Sequence, residues 1–505
     1  MIEPRSRDEV LARLAQLRAL DPPTHGGRVL SYVYDPGTAE LDELAAAAIR
    51  AVQPLNGLDP TTFRSVAVLE AELVGFARQM LHGDDDTVGS VTTGGTESCL
   101  LAVKAARDAW RAAHPEGRAR LVAPATVHAA FHKAAEYFDV ELDLVPTAPD
   151  GAVAAADVAA RLGDDVALVV LSAPSYPTGA LDPVAEVAAE AAARGIRLHV
   201  DACFGGFVLP FWEEAGGDPL LPWDFRVEGV TSISADAHKY GYAPKGASVL
   251  LHRSRALQRS QFFATTRWPG YPVVNPTLLG SKSAAPLAAA WALAASLGRA
   301  GFVELTARCV RATCELRAAI DRIEGLAVVG DPVGPLLAVA ADTALPLERQ
   351  VDPHHWADAV RGQGFVLQLQ PATRPETGVR IPSTTHLTVT PVTERVLPDL
   401  IAALEAGADA VRGVPHADAA PLVAGLPALA ASDLDPDTAW GLLQGFGIGG
   451  DGGLPDQQAP LLALIEALPA ELAERLLVEV IARVVEPAAS IGANGPGGAR
   501  PDAGG

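Results

Sequence analysis

Two lysines stand six positions apart in the stretch "SADAHKYGYAPKG", residues 234–246, and the first, Lys239, directly follows a histidine. Glycine, proline and tyrosine fill the interval before Lys245, which is typical of a tightly packed loop. The amine of a lysine in a confined site can condense with an aldehyde to form a Schiff base. The loop therefore predicts a reactive lysine, and an ordinary solvated surface lysine is the alternative interpretation.

Two other stretches carry groups that suit the same chemistry. In "VTTGGTES", residues 91–98, two glycines precede Thr96 and a helix whose free N–H groups can hold a phosphate. In "HVDACFGGF", residues 199–207, Asp201 ends an apolar strand, where a carboxylate can keep a ring nitrogen protonated. Each stretch alone also fits a plain turn or a cap. Together with the lysine they are the three groups that pyridoxal 5'-phosphate requires, so we expect that cofactor.

Alternating helical and β-branched segments between about residues 60 and 300 supply the scaffold for these groups. The β-branched runs are "ARLVAP", "ALVVLSAP", "RLHVDA", "VTSISA" and "ASVLLH". This alternation predicts βαβ units around a mostly parallel sheet. One helix is expected to have Asp182 as its cap, Pro183 in its first turn and Gly195 at its end. The strand that follows carries Asp201 at its carboxyl end, where open α/β sheets bind ligands.

The pattern changes after about residue 300. A long helix leads into short strands, a helix near 353–363 and the strand "THLTVTP", which predict a smaller α+β lobe. After it, residues 418–485 predict two or three helices with a break at "GFGIGGDGG". The predicted domains are an N-terminal segment (1–60), a cofactor-binding large domain (61–300), a small α+β domain (301–412), a C-terminal helical extension (413–485) and a disordered tail (486–505).

Composition restricts the partners and the cellular location. The chain has 505 residues and a formal net charge of -22, so we expect no nucleic-acid partner, because such binding needs a basic face. The N-terminal residues lack an apolar run of signal-peptide or membrane-span length, and the four cysteines form no C-x-x-C pair. We therefore expect a cytoplasmic protein with free thiols and without an integral membrane segment.

Five stretches of the chain resemble the sphingosine-1-phosphate lyases. They are "VTTGGTESCLLAVKAARD", "HAAFHKAAEYF", "LHVDACFGGFVLPF", "DFRVEGVTSISADAHKYGYAPKG" and "NPTLLGSK". That family is related to the group II amino-acid decarboxylases, which share only the His-Lys pair and the strand aspartate. The resemblance runs from about Gly26 into the C-terminal helices. It implies an α/β fold of fold type I, with a large domain around a mostly parallel sheet and a smaller α+β C-terminal domain.

The resemblance also implies roles for individual residues. Lys239 is expected to hold pyridoxal phosphate as an imine, Asp201 to pair with the pyridine nitrogen, and His128 to stack on the ring. The residues expected at the cofactor phosphate are Gly95, Thr96, His238 and, from the other subunit of a homodimer, Ser281. Tyr34 and Lys245 are expected on the substrate side. A helix-start histidine at 128 and a generic loop tyrosine at 34 are the alternative interpretations.

Several positions depart from the family pattern, and all of them lie on the substrate side. Asp59 stands in "NGLDP" where the family has a histidine that helps to hold the substrate phosphate. Lys282 replaces an arginine, which keeps the charge but loses the bidentate fork. Arg267 stands where the family usually has an acid. These changes therefore leave open a substrate whose head group differs from the phosphate of the family's substrate.

The reaction implied by the resemblance is cleavage of a carbon–carbon bond. A phosphosphingoid, or another amino-alcohol, is expected to yield a fatty aldehyde and phosphoethanolamine by retro-aldol chemistry. One alternative is a decarboxylase of amino acids on the same fold, which would share Lys239, Asp201 and His128. Another alternative is a cofactor-binding scaffold without catalytic activity, although retention of both lysines and the aspartate argues against it.

Overall fold

The structure is a computed structural model that describes residues 4–373, 379–424, 434–448 and 457–487. The described chain forms two compact units, of which the first ends at His416 and the second begins at Ala417. The helices of the first unit are α1 (Arg7–Arg18), α2 (Ala39–Val52), α3 (Arg64–Met80), α4 (Gly95–Ala113), α5 (Ala129–Phe138), α6 (Ala155–Ala159), α7 (Val184–Ala193), α8 (Arg255–Arg259), α9 (Ala285–Ile320), α10 (Pro353–Gly362) and α11 (Thr393–Val411). The strands are β1 (Val88–Thr92), β2 (Arg120–Pro124), β3 (Glu141–Val145), β4 (Val166–Ser172), β5 (Arg197–Asp201), β6 (Ser232–Ala235), β7 (Ser248–His252), β8 (Phe263–Thr265), β9 (Val273–Asn275), β10 (Leu326–Val328), β11 (Leu336–Ala341), β12 (Gln368–Gln370) and β13 (Thr384–Thr388).

A seven-stranded sheet forms the centre of the first unit, with the strand order β1-β7-β6-β5-β4-β2-β3. The pairs from β6 through β3 are parallel, and β7 runs antiparallel to both of its neighbours. Every residue of β4 is buried, as expected for a parallel strand that is covered on both faces. The five predicted strand segments are β2, β4, β5, β6 and β7, so the predicted mostly parallel sheet is confirmed.

Two apolar cores lie on opposite faces of this sheet. Leu168 and Val170 of β4 belong to a cluster with residues of α4 and α5. The alternate residues, Val169 and Leu171, belong to the larger cluster that includes α7 and α9. Because side chains alternate along a strand, one apolar run supplies both cores, which fixes the sheet between two helical layers.

The start of α7 differs from the prediction. The helix begins at Val184, Pro183 precedes it, and Asp182 makes no capping bond. The Asp182 carboxylate instead accepts a hydrogen bond of 2.7 Å from the backbone N–H of Ser172, at the end of β4. The predicted end is correct, because Gly195 has a φ of 69°, a conformation that favours glycine.

The long helix α9 begins earlier than the sequence pattern indicated. It starts at Ala285 and continues past residue 300, with a break at Gly298, whose φ is 51°. Two helical stretches therefore join at Gly298, and the predicted boundary between residues 300 and 301 falls just after this break. Within the described residues, α9 is the single helix that is long and apolar enough to cross a bilayer, and 44% of its most apolar window is buried inside the fold.

The small lobe of the first unit contains an antiparallel sheet in the order β10-β11-β13-β12. Three of these strands were predicted, and β12, which has three residues, was not. Helices α10 and α11 pack together, and the indole N–H of Trp356 donates to the carbonyl of Leu404 between them. Part of the predicted polar loop "QPATRPETGVRIP", residues 374–378, lies outside the described residues.

The second unit consists of helices in the described ranges. They are α12 (Ala420–Ala424), α13 (Pro436–Gly445), α14 (Ala459–Ala467) and α15 (Ala470–Val484). Leu443, Leu464, Leu472 and Leu476 are among the buried residues of its core. Two or three helices were predicted, and the described residues form four, one of which has only five residues. Most of the break "GFGIGGDGG" and of the predicted disordered tail lies outside the described residues.

Candidate active site

The carboxyl ends of β1, β5 and β6 meet around one cavity of about 400 Å³. Ligands of open α/β sheets bind at this edge because loops and helix N-termini converge there. The structure brings six of the predicted site residues together in the wall of this cavity. They are Gly95, Thr96, His128, Asp201, His238 and Lys239.

The glycine loop between β1 and α4 is shaped by the close approach of a neighbouring side chain. Gly94 has a φ of 151°, and a Cβ on Gly95 would lie 2.7 Å from Oδ2 of Asp236. The loop is also held by Glu97, whose Oε2 accepts bonds of 2.6 and 2.7 Å from the N–H and hydroxyl of Thr93. The N-terminus of α4 therefore lies at the cavity wall, where its free N–H groups can bind an anion.

Asp201 is buried at the end of β5. Its Oδ1 accepts hydrogen bonds from the N–H of Cys203 (3.0 Å) and from the hydroxyl of Ser234 (3.4 Å). Burial alone would raise the pKa of Asp201, but the nearby His128, the hydrogen bonds from Cys203 and then His199 bring it below its ordinary value. The carboxylate is therefore ionised at neutral pH and can pair with a protonated ring nitrogen.

His199 lies two residues before Asp201 and is fully buried. Its ring nitrogens lie 2.9 Å from the hydroxyl of Ser232 and 3.2 Å from that of Ser234. Burial lowers the pKa of His199 to about 4, so the ring is neutral at physiological pH. It supports the strand, as expected for a packed histidine.

Lys239 lies in the turn after β6, and its Nζ is 3.1 Å from Oδ2 of Asp236. The same carboxylate oxygen is 3.5 Å from Nε2 of His238. Burial opposes the charged form of Lys239, but Asp236, followed by Tyr34, raises the pKa of the amine well above its ordinary value. The lysine is thus an ammonium ion held by a buried carboxylate.

Tyr34 and Lys245 lie next to each other, close enough to Lys239 for its charge to act on both. The Nζ of Lys245 is 4.6 Å from the centre of the Tyr34 ring and donates to the His238 carbonyl at 3.1 Å. Burial and the charge of Lys239 lower the pKa of Lys245 to about 8. Burial raises the pKa of Tyr34 to about 12, so the phenol keeps its proton.

His128 unites the two interpretations that the sequence left open. It is the N-cap of α5, and its Nδ1 accepts a hydrogen bond of 3.2 Å from the N–H of Ala130. It is also part of the cavity wall. A helix-start histidine therefore presents its ring to the site.

Ser281 does not join the residues around this cavity. It is exposed, and its hydroxyl accepts a bond of 3.2 Å from the Asn56 side chain. Residues 56–64 and 276–282, called the outer segments below, contact each other here, and the N–H of Gly57 also donates to the carbonyl of Lys282 at 2.8 Å. Within the single described chain, no residue of the outer segments lines the cavity, although the N–H of Leu278 bonds to Glu97 in its wall.

Asp59 is part of the outer segments and bonds to its own loop. Its Oδ1 accepts from Thr61 at 2.6 Å, and its Oδ2 accepts from Thr62 at 2.8 Å. These hydrogen bonds lower the pKa of Asp59 to about 2. The Asp59 carboxylate thus fixes a turn and stays charged at all physiological pH values.

Sequence reasoning missed Asp236, Glu97 and the pair Cys99 and Cys203, all of which line the cavity. A signal for Asp236 was available in the sequence. Asp236 directly follows the apolar strand β6, just as Asp201 lies at the carboxyl end of the apolar strand β5. No local pattern marked Glu97, whose second oxygen accepts from the N–H of Leu278 at 2.6 Å, far along the chain.

A family model described as the pyridoxal-dependent decarboxylase conserved domain matches residues 63–338, more than half of the chain. The chain belongs to the pyridoxal-dependent decarboxylase family. Pyridoxal phosphate is accordingly its cofactor, and the predicted fold-type-I architecture is confirmed. A second model, the C-terminal putative HTH domain of pyridoxal-dependent enzymes, matches residues 418–483.

Individual members of the decarboxylase family are also similar. Sphingosine-1-phosphate lyase 1 of Rattus norvegicus is 38% identical over 339 residues, which are 67% of this chain and 59% of the rat protein. A probable L-tyrosine/L-aspartate decarboxylase of Methanothermobacter thermautotrophicus is 31% identical over 62% of this chain and 81% of its own length. The sphingosine-1-phosphate lyase structure of Burkholderia pseudomallei has a TM-score of 0.75 and 31% identity, covering 82% and 93% of the two chains. This chain spans about three fifths of the rat protein's length.

The cavity fits the cofactor of this decarboxylase family. Among the described residues, two buried polar atoms in its wall have no hydrogen-bond partner, Nδ1 of His238 and Oδ1 of Asp236. The glycine loop leaves the N-terminus of α4 clear for a phosphate, and Asp201 has a charge suited to the pyridine nitrogen. Thr96 and His238 would hold the phosphate, Asp201 and His128 the ring, and Lys239 the aldehyde carbon.

Proposed function

We propose that this protein cleaves the carbon–carbon bond between the amine-bearing and hydroxyl-bearing carbons of a phosphosphingoid or a related amino-alcohol. The products would be a fatty aldehyde and phosphoethanolamine, or the corresponding amine for another head group. Similarity to lyases of a rodent and a bacterium supports this proposal. The reaction leaves the number of electrons unchanged, because the bond pair stays with the amine-bearing carbon and the hydroxyl becomes a carbonyl.

The observation that carries the proposal is the pair formed by Lys245 and Tyr34. A retro-aldol cleavage needs a group that removes the hydroxyl proton, whereas loss of carbon dioxide needs none at that position. Lys245 has its pKa lowered to about 8, so an appreciable fraction of its amine is neutral near physiological pH. Tyr34 keeps its proton and can donate a hydrogen bond to the same oxygen.

The remaining residues position and polarise the reacting groups. When bound, pyridoxal phosphate supplies an electron sink for the pair released at the amine-bearing carbon. Asp201 would stabilise positive charge at the far end of the ring. The helix α4 N-terminus and His238 would anchor the phosphate. The ring of Tyr34 meets that of Tyr240 edge-on at 5.1 Å, and this contact would hold the phenol in place beside the exposed Lys245.

An amino-acid decarboxylase is the second candidate, supported by the family description and by the archaeal relative. It would use Lys239, Asp201 and His128 in the same way. The two candidates differ in whether Lys245 serves the reaction as a base.

The test is a product analysis with purified protein loaded with pyridoxal phosphate. Phosphorylated and unphosphorylated long-chain amino-alcohols, L-tyrosine, L-aspartate and L-glutamate are supplied separately. Aldehyde and phosphoethanolamine are measured by mass spectrometry, and carbon dioxide is measured by its release. Aldehyde from the amino-alcohols supports the lyase. Carbon dioxide without aldehyde supports the decarboxylase instead. If no compound yields either product, both candidate functions are contradicted.

We also propose that the protein acts in the cytoplasm as a homodimer. The four cysteines are free thiols, as suits a reducing compartment. Ser281 lies outside the cavity of its own chain and is available to the site of a second subunit. Sedimentation of the loaded protein, with Ser281→Ala assayed for weaker cofactor retention, tests the dimer. A monomer that retains full activity would contradict it.

A further inference from the structure

Asp236 is a buried acid to which the sequence assigned no role. Only 2% of its surface is exposed, and it directly follows β6 in the wall of the cavity. Its Oδ2 is 3.1 Å from Nζ of Lys239, the lysine expected to bind the cofactor aldehyde. We propose that Asp236 is a positioning residue whose carboxylate holds the Lys239 amine in an ion pair that must open before the lysine can react with an aldehyde.

The geometry leaves Asp236 as the counter-ion of this lysine. The other titratable groups close to Lys239 are Tyr34, Cys99, Tyr176, Asp201, Cys203, His238 and Lys245. Burial raises the pKa of both phenols and of Cys99, and the hydrogen bond with Cys99, followed by burial, raises the pKa of Cys203, so these groups stay neutral. Lys245 opposes a second positive charge. Asp201 is ionised, but its Oδ1 is directed to the Cys203 N–H and the Ser234 hydroxyl. Asp236 is the carboxylate in direct contact.

The fixed position of Asp236 makes the ion pair a property of the fold. A Cβ on Gly95 would lie 2.7 and 2.8 Å from the two carboxylate oxygens, so the acid is pressed against the glycine loop. The backbone also fixes the turn, because the N–H of Lys239 donates to the carbonyl of Asp236 at 3.2 Å. The carboxylate therefore meets both the lysine and the start of α4, where the cofactor phosphate is expected to bind.

This arrangement has a chemical consequence for cofactor capture. An ammonium ion has no lone pair, so Lys239 must release a proton before it adds to an aldehyde carbon. The neutral amine then forms a carbon–nitrogen double bond, one water leaves, and no electrons are gained or lost. Asp236 holds the amine in place and also slows its reaction. The inference rests on the proposed role of Lys239 as the cofactor lysine.

The first experiment follows lysine reactivity in the apoprotein, without any cofactor. The chain has only five lysines, Lys104, Lys133, Lys239, Lys245 and Lys282, so trace acetylation by acetic anhydride can be read at each one by mass spectrometry. The pH midpoint of labelling is compared between wild type, Asp236→Asn and the control Asp182→Asn, another buried carboxylate beside the sheet. Lys133, which is exposed on α5, is the internal reference.

We expect Asp236→Asn to lower the midpoint of Lys239 by roughly one to three pH units, the usual effect of an adjacent opposite charge. Lys133 should not change, and Asp182→Asn should behave as wild type. An unchanged Lys239 midpoint in Asp236→Asn overturns the inference. If that variant does not fold, the wild type still decides, because a Lys239 midpoint below that of Lys133 also overturns it.

The second experiment separates this inference from the proposed function. Pyridoxal phosphate is added to each apoprotein at pH 7.5, its absorbance change is timed, and the adduct is fixed with borohydride and mapped. We expect the Asp236→Asn rate to rise by about tenfold or more. An adduct at a lysine other than Lys239 contradicts the proposed function. An adduct at Lys239 that forms at the wild-type rate contradicts only the role of Asp236.

Discussion

The charged residues of the cavity floor, which are Asp201, Asp236 and Lys239, are held in a different way from those of the outer segments. On the floor, Asp201, Asp236 and Lys239 lie within the fold, and each has a partner that fixes its position. In the outer segments, Asp59 bonds only to its own turn and Ser281 is exposed. Buried charges act strongly and at short range, whereas exposed ones are screened by water. We therefore expect the floor to determine the type of chemistry and the outer segments to adjust the choice of substrate.

The largest effect is expected on the floor, from Lys239→Ala. Removal of the amine leaves no group to bind the cofactor aldehyde, so turnover should fall to the background rate. The loss of absorbance from the covalent cofactor and of borohydride labelling is the measurement. Lys133→Ala, an exposed lysine on α5, serves as the control and should keep both signals. Full activity of Lys239→Ala would contradict the comparison, because the chemistry would then not depend on the residues of the cavity floor.

Asp201→Asn should have the second largest effect. An amide has no charge with which to stabilise a protonated ring nitrogen, so turnover should fall roughly ten- to a thousandfold, the range of a one- to three-unit pKa change. The cofactor should remain bound, with an altered absorption spectrum. A normal rate together with a normal spectrum would show that the floor tolerates loss of this charge.

Lys245→Gln tests the border between the two regions. With a pKa of about 8, the amine is charged below that value and neutral above it, so a reaction that uses it as a base should accelerate as the pH rises through 8. The variant should retain the cofactor but lose this rise in the pH profile of kcat. Should the rise persist in Lys245→Gln, another group supplies the base.

The smallest effect is expected in the outer segments, from Asp59→Asn. The amide oxygen can still accept from Thr61, so the turn should survive while a negative charge disappears. KM for a phosphorylated substrate should fall by less than about fivefold, because exposed charges interact weakly. An unphosphorylated substrate is the control and should not respond. A large change in kcat would place Asp59 in the chemistry and erase the distinction between the regions.

The floor was easier to predict from sequence than the contacts that complete it. Asp201 and Lys239 follow apolar strands, and strand ends meet at one sheet edge, so the pattern was enough. Asp182 was read as a helix cap because only its local neighbours were visible. In the structure the N–H of Ser172, ten residues away, attracts its carboxylate. The partners of Asp236 likewise depended on a turn and a glycine loop from separate parts of the chain.

The cap at His128 limits how protons can move in this site. Its Nδ1 accepts the N–H of Ala130, so in the neutral ring the hydrogen lies on Nε2. A ring fixed in this tautomer can donate a hydrogen bond from Nε2, and the lone pair of its Nδ1 is already engaged by the helix. Helix α5 thereby makes His128 a hydrogen-bond donor in the site, and the base must be another residue.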